Sequence, residues 1–206
     1  TVADNASPIV AIGTDPELSS GTLRISYKYT PQPSEANLTL AGQKENLCRQ
    51  MVISMLSYRL YDQATAGNNP QGLTLRFSDG DYSLAMTKKA LSAHANFKED
   101  NWMQAMSALV FQLKRAMEHG FTLAEFERVC NDLRRSISMT EENIGTALPN
   151  NTLVQKCMAH FLHSLPLLSQ AEEMKLYRQL LQSLTLADVN ARFNQFIYSQ
   201  GGVAIL

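Results

Sequence analysis

Two stretches of the chain alternate between apolar and polar side chains, which is the pattern of a β-strand with one buried face. In residues 21–30 the two alternating sets are Leu23, Ile25, Tyr27 and Tyr29 against Thr22, Arg24, Ser26 and Lys28. Residues 73–78 repeat the pattern, with Leu73, Leu75 and Phe77 against Thr74, Arg76 and Ser78. Both stretches therefore predict half-buried strands of an antiparallel sheet.

Most of the remaining chain follows the helical period instead. Residues 36–64 carry apolar side chains three and four positions apart, and the run G-N-N-P at 67–70 ends that helix. Further helices are predicted over 102–119, from T-L-A-E at 122–125 onward, near 151–163, over 170–183, and from T-L-A-D at 185–188 onward. Short apolar runs at 8–14 and 201–206 each predict a strand, the first of them buried.

The segment after the second alternating strand is less regular. The pair D-G at 79–80 is a turn sequence, and strand phase continues over 82–86. The pair K-K at 88–89 interrupts the apolar pattern, which resumes over 91–95 in the opposite phase. A phase change of one residue predicts a bulge or a second turn here.

The order of these elements is strand, strand, helix, strands, several helices and strand. This order is typical of the α+β class, so we expect an antiparallel sheet with helices packed on one face. No repeat, linker or low-complexity tract divides the 206 residues, so a single domain over 1–206 is expected. Because the sequence begins at Thr1 and ends in an apolar strand, we also expect a fragment of a longer, multi-domain chain.

Composition and charge exclude several classes of function. Apolar residues make up 45% of the chain and charged residues 18%, which argues against intrinsic disorder. With 18 basic and 19 acidic residues the net charge is −1, so no strong field favours nucleic acid or an anionic membrane. No apolar run reaches the length of a membrane span. We therefore expect no nucleic-acid partner and no membrane span.

The three cysteines, Cys48, Cys130 and Cys157, lie in apolar or helical patterns without C-x-x-C spacing. Free, buried thiols are the expectation, and a Cys130–Cys157 disulfide is the alternative.

Candidate catalytic patterns are incomplete. The best metal-ligand spacing is Cys157-x-x-His160-x-x-His163, which lacks an accompanying carboxylate. The run R-A-M-E-H at 115–119 matches only the Glu-His end of the H-x-x-E-H zinc-peptidase pattern, because Arg115 replaces the first ligand. Neither a glycine-rich phosphate loop nor a G-x-S-x-G motif occurs. We assign no catalytic and no metal-binding residue, while a Ser or Cys hydrolase assembled in space stays an open alternative.

Two motifs and the order of elements resemble a known family. The motifs are G-F-T-x-x-E at 120–125, where one helix joins the next, and L-T-x-x-D-V at 184–189, before the closing strand. Together with I-V-A-I-G-T-D-P-E at 9–17, they resemble the second, non-catalytic domain of the insulinase and pitrilysin group of zinc metallopeptidases. This group is peptidase family M16, which includes the processing peptidases.

The resemblance implies that the zinc ion and its ligands belong to an upstream domain of the parent chain. This piece would then be inactive alone and would pack on neighbouring domains of the same chain. Sheets in the family line a closed chamber for the peptide substrate, which implies that Arg24, Lys28 and Arg76 face that chamber. Bacterial relatives are often envelope proteins, which implies a periplasmic or cell-envelope location. The alternative is a stand-alone binding or scaffold domain of the same fold without peptidase activity.

Overall fold

The computed structural model describes residues 3–63, 73–80, 87–98, 101–145, 148–198 and 203–205. The predicted helix stop at 67–70 and the predicted strand phase at 82–86 lie outside these residues.

Within these residues, five strands form one sheet in the order β1, β5, β2, β4, β3. Their bounds are β1 Ile9–Val10, β2 Gly21–Tyr29, β3 Thr74–Asp79, β4 Lys89–Phe97 and β5 Val203–Ile205. Strand β4 pairs antiparallel with both β2 and β3, and β5 pairs antiparallel with β2 and parallel with β1. The two alternating stretches of the sequence thus become β2 and β3, on either side of β4.

The helices follow the predicted order closely. A 3-10 helix, Ser34–Leu38, precedes α1 Leu40–Gln63, so the helix predicted from residue 36 opens with a tighter turn. The others are α2 Trp102–His119, α3 Leu123–Glu142, α4 Asn150–His163, α5 Gln170–Ser183 and α6 Leu186–Ile197. The α+β class predicted from the sequence is confirmed.

The structure corrects the strand predicted over 8–14 and decides between the bulge and the second turn predicted near residues 88–89. The strand predicted over 8–14 is reduced to Ile9–Val10, and these side chains are exposed rather than buried. The predicted bulge is absent from β4, which pairs without interruption from Lys89 to Phe97, whereas a turn at Thr87 comes just before this strand. Every residue over 90–95 is buried, so both faces of β4 are covered there, although polar and apolar residues alternate along the strand.

The chain forms two compact units. The first comprises Thr1–Pro31, Val52–Phe121 and Asn190–Leu206, and so contains the sheet, α2 and the later parts of α1 and α6. Its core includes Ile25, Leu91 and Leu109, and the rings of Tyr29 and Phe196 meet edge to face at 4.8 Å between centroids.

The second unit comprises Gln32–Met51 and Thr122–Val189. Helices α3 and α5 pack together there, with Ile137 and Leu181 among the buried side chains, and Arg178 forms an ion pair with Glu141. A cavity of about 130 Å³ lies in this unit, lined mainly by apolar side chains. Helix α4 buries none of its residues, and Phe161 is 86% exposed. The single domain expected over 1–206 stays a prediction.

Candidate functional site

The polar sides of β2, β4 and β3 form one continuous surface because these strands lie next to one another. Residues that pair across antiparallel strands point to the same face of a sheet. We call a rung a set of three residues, one each from β2, β4 and β3, that pair side by side across the sheet. The register gives three polar rungs, which are Thr22, Asn96 and Thr74; Arg24, His94 and Arg76; and Ser26, Ser92 and Ser78. We call these three rungs, together with Lys28, the polar face.

The serine rung is the closed part of the polar face. Ser26 and Ser92 are fully buried, and their hydroxyl oxygens lie 3.0 Å apart, so one hydroxyl donates to the other. In the same region Ser78 Oγ lies 2.8 Å from His94 Nε2, and His94 is only 7% exposed. This hydrogen bond fixes the orientation of the imidazole ring.

Lys28, predicted to face a chamber, is buried. It is 3% exposed, and its Nζ donates to the carbonyl oxygen of Ala3 at 3.0 Å. Lys88 Nζ donates to Thr30 Oγ1 at 2.9 Å and pairs with Asp4 Oδ1 at 2.6 Å. The two lysines therefore hold residues 3–4 against this end of the polar face.

Arg24 and Arg76 are the accessible cations of the polar face. Arg24 is half-buried and Arg76 is exposed, and neither guanidinium has an ion-pair or hydrogen-bond partner among the residues that the structure describes. Strands β2, β4 and β5 contain no acidic residue. The acidic residue of β3, Asp79, lies on the opposite face, where it accepts a hydrogen bond from Tyr29. Among the described residues, no carboxylate compensates the positive charge of the arginine rung.

A serine hydroxyl that is hydrogen-bonded to an imidazole is also the arrangement of a catalytic nucleophile and its general base. A catalytic group of that kind needs a third residue that orients the imidazole and donors that hold an oxyanion. The described strands bring no carboxylate to the side of the sheet that carries Ser78 and His94, and they place two arginines beside the ring. Because two cations attract a bound anion, this arrangement suits anion binding better than nucleophilic catalysis.

His94, Ser92 and Asn96 are site residues that the sequence patterns do not single out. Their alternation with Leu91 and Ala93 is visible in the sequence, but the apolar phase of β4 dominates the pattern. The signal that identifies them is the register of β4 with the polar sides of β2 and β3.

The Cys-His pattern of α4 is not assembled into a metal site. His160 Nδ1 hydrogen-bonds a backbone carbonyl oxygen at 2.7 Å, while Cys157 and His163 are exposed. Glu118 and His119, the partial zinc-peptidase match, are exposed at the end of α2. Across the described ranges, no three His, Cys, Asp or Glu side chains are placed to share a metal ion. These residues do not fit a catalytic zinc site.

No disulfide joins Cys48, Cys130 and Cys157, all three of which lie in the described part of the chain. Cys48 and Cys130 are buried, as the sequence predicts, but Cys157 is exposed because α4 buries none of its residues. The alternative disulfide between Cys130 and Cys157 is not formed. Burial raises the pKa of the Cys130 thiol, an effect that the charge of Arg134 opposes and that of Glu127 reinforces.

The two motifs that carry the family resemblance are helix starts with reciprocal caps. Thr122 Oγ1 accepts from the Glu125 N–H at 3.3 Å, and Glu125 Oε2 accepts from the Thr122 N–H at 2.8 Å. Thr185 and Asp188 repeat the arrangement at 3.2 and 2.9 Å. Both helices therefore begin where the sequence predicts, since each cap satisfies backbone donors that the helix itself leaves unpaired.

The residues before the first cap are held from two directions. Gly120 has φ +65° and ψ −159°, which is open to glycine, and a Cβ there would lie 2.9 Å from Asn190 Oδ1. Arg59 Nη2 donates to the Gly120 carbonyl oxygen at 2.7 Å, and its guanidinium lies 4.8 Å from the centre of the Phe121 ring. The motif glycine and phenylalanine thus contact side chains of α1 and α6.

No family model and no curated protein matches the chain by sequence. Solved structures match almost all of it. The first half of the periplasmic protease PqqL from Escherichia coli aligns with a TM-score of 0.83 at 16% identity, over 98% of this chain and 42% of that chain. An insulinase family protease from Yersinia pestis aligns with a TM-score of 0.72 at 16% identity, over 100% of this chain and 43% of that chain. A peptidase M16 inactive domain from Pseudomonas fluorescens aligns with a TM-score of 0.53 at 15% identity, over 97% of this chain and 41% of that chain.

This chain has the fold of M16-family peptidase domains. The resemblance predicted from the motifs at 120–125 and 184–189 is confirmed at the level of the fold. The chain spans less than half the length of each of the three M16 structures described above. In the described part of this M16 fold, no helix is both long enough and apolar enough to cross a membrane.

Proposed function

We propose that this chain is a non-catalytic part of a larger M16-like zinc peptidase, in which it packs on the zinc-bearing domain. The observation that carries the proposal is the coverage, since the alignment takes in 98% of this chain but only 42% of the PqqL half-chain. In this proposal the zinc ion and its ligands belong to an upstream domain of the parent chain.

In the same proposal the polar face borders the space that holds the peptide substrate. Arg24 and Arg76 are the cations that a peptide there would meet, and the exposed hydroxyls of Thr22 and Thr74 offer further donors. Lys28 contributes its charge from beneath the surface, because its ammonium group is buried against Ala3. The face therefore favours peptides that carry negative charge.

PqqL is a periplasmic protease, and on that likeness we place the parent of this chain in the periplasm or cell envelope. An antibody raised against this chain tests the proposal on the native protein. The protein is isolated from separate periplasmic and cytoplasmic fractions, its length is determined by mass spectrometry, and its metal content by elemental analysis. Hydrolysis of quenched fluorescent peptides is then measured with and without a chelator, with a pre-immune isolate as the control.

The proposal predicts a periplasmic chain more than twice as long as these 206 residues, with bound zinc and chelator-sensitive hydrolysis. A native chain of this length that binds no zinc and carries no zinc-bearing partner would contradict it. That result would favour the alternative, a stand-alone binding or scaffold domain of the M16 fold.

A further inference from the structure

The arginine rung has the geometry of a site for one small anion. Arg24 and Arg76 pair with the same residue, His94, from opposite sides. Because neighbouring strands lie about 4.8 Å apart, the two arginine Cα atoms are separated by about 10 Å. Two arginine side chains rooted at that distance on one face can direct both guanidinium groups at a ligand placed between them.

The rung is closed on one side and open on the other. Ser26 and Ser92 are fully buried on the closed side, and the hydrogen bond between Ser78 Oγ and His94 Nε2 keeps the His94 ring in place at the base. On the open side lie the exposed Thr22, Asn96 and Thr74. An anion therefore reaches the two guanidinium groups past a rim of hydroxyl and amide groups that can also donate hydrogen bonds.

The charge of the rung points to the same ligand. Neither Arg24 nor Arg76 is neutralised by a carboxylate of the described residues, and β2 and β4 supply no acidic side chain. A guanidinium group binds a carboxylate through two parallel hydrogen bonds, which are stronger than hydrogen bonds between neutral groups. An arginine on each side of a buried histidine, with no ion-pair partner among the described residues, thus favours a carboxylate over a neutral group of the same shape.

We propose that Arg24 and Arg76, with His94 at the base, form a binding site for a carboxylate group of a peptide. The carboxylate is that of an acidic side chain or that of the peptide's C-terminus. The choice of a peptide carboxylate as the ligand rests on the proposed function, whereas the preference for a small anion rests on the rung itself. The site binds and orients; it contributes no reacting group.

The test measures equilibrium binding to the native protein that carries this chain, with a chelator present so that no peptide is cleaved. The probes are matched rhodamine-labelled peptides with Glu or Gln at the centre and with a free or amidated C-terminus. Fluorescence anisotropy gives the Kd of each. We expect at least one kind of carboxylate to tighten binding about tenfold over its amide counterpart, and the pair that shows the difference identifies the source of the carboxylate.

The variants separate this site from general charge. Arg24→Gln combined with Arg76→Gln should abolish the preference for the carboxylate peptide. Arg115→Gln combined with Arg135→Gln removes the same charge from exposed positions on α2 and α3 and should leave the preference intact. Arg76 is exposed on β3, at the edge of the sheet, so Arg76→Gln alone should leave the fold intact. This single variant should weaken the preference even if the double variant does not fold.

Equal binding of the carboxylate and amide peptides by the unmodified protein would overturn the site. So would a preference that survives in the Arg24/Arg76 variants, or that falls equally in the control pair. None of these results bears on the zinc content or length of the native chain, so the failure of this site is distinct from the failure of the proposed function.

Discussion

The side-chain amide of Asn190 brackets the backbone of Phe121. Asn190 Oδ1 accepts from the Phe121 N–H at 2.8 Å, and Asn190 Nδ2 donates to the Phe121 carbonyl oxygen at 3.4 Å. Phe121 is 3% exposed and meets the ring of Phe193 edge to face at 5.4 Å between centroids. Asn190, which follows the L-T-x-x-D-V motif, therefore holds the backbone of Phe121, which follows Gly120 of the other motif.

Replacing Asn190 by Ala should lower the free energy of unfolding by about 1–3 kcal/mol, because the buried Phe121 backbone loses both side-chain partners. Urea unfolding followed by circular dichroism measures the change. Asn194→Ala, at an exposed position of the same helix, is the control and should change the value by less than about 0.5 kcal/mol. Equal decreases in the free energy of unfolding for the two variants would mean that the hydrogen bonds between Asn190 and the Phe121 backbone do not stabilise the fold.

The buried hydroxyl pair of Ser26 and Ser92 should show non-additive mutational effects. Ser92→Ala or Ser26→Ala alone leaves the other hydroxyl buried without its partner, which costs about 1–3 kcal/mol. The double variant should cost less than the sum of the two, by about 1 kcal/mol in a double-mutant cycle. The same cycle on the exposed pair Thr22 and Asn96 should be additive, and a serine cycle that is equally additive would contradict the prediction.

Asp188 should make stability depend on pH on the acid side. Burial raises its pKa, but hydrogen bonds from Lys44 and Thr185 and the charge of Lys44 outweigh burial and hold the pKa below the usual 3.8. Lys44 Nζ lies 3.0 Å from Asp188 Oδ2. Because the folded pKa is below the unfolded one, this stabilisation is complete above the unfolded value and is lost as pH falls through the folded value.

Asp188→Asn should therefore lose less stability than the unmodified chain when pH is lowered from about 6 to about 3. The difference should be a few tenths to about 1 kcal/mol, because the ion pair is partly exposed. Thermal melts across this pH range measure it. Lys44→Gln should also reduce the loss of stability between these pH values. If neither variant changes that loss, Asp188 is not the source of the pH dependence.

The thiols should react at very different rates. Cys157 is exposed on α4, whereas Cys48 and Cys130 are buried, and burial raises the pKa of Cys130. A disulfide reagent such as DTNB should modify one thiol rapidly in the native chain and the other two only after denaturation. Cys157→Ser should remove the rapid phase. A rapid phase that persists in this variant would show that a buried cysteine is accessible.

Local patterns predicted most of the elements. The alternation around Ile25 predicted β2 to within one residue of its end, and the caps at Thr122 and Thr185 marked the starts of α3 and α6. These features depend on residues within three or four positions of one another, so one sequence contains the whole signal. The third reciprocal cap, from Ser169 to Glu172 at the start of α5, follows the same rule.

The polar face could not be predicted to the same extent, because its contacts join distant parts of the chain. Ser78 and His94 are separated by 16 positions, and only the register of β3 with β4 brings them together. The burial of Lys28 depends on Ala3, which lies 25 positions away, so alternation alone placed Lys28 on an accessible surface. Alternation identifies the side of a strand but not what covers that side.

The unbroken register of β4 also constrains how this chain can diverge over time. Side chains of a strand change face at every residue, so inserting or deleting one codon within β4 would exchange the two faces beyond that point. His94 would then take the place of Ala93 or Ala95 in the core, and an alanine would stand between the two arginines. Descendants of this sequence should therefore differ in β4 by replacement of residues and keep its length unchanged.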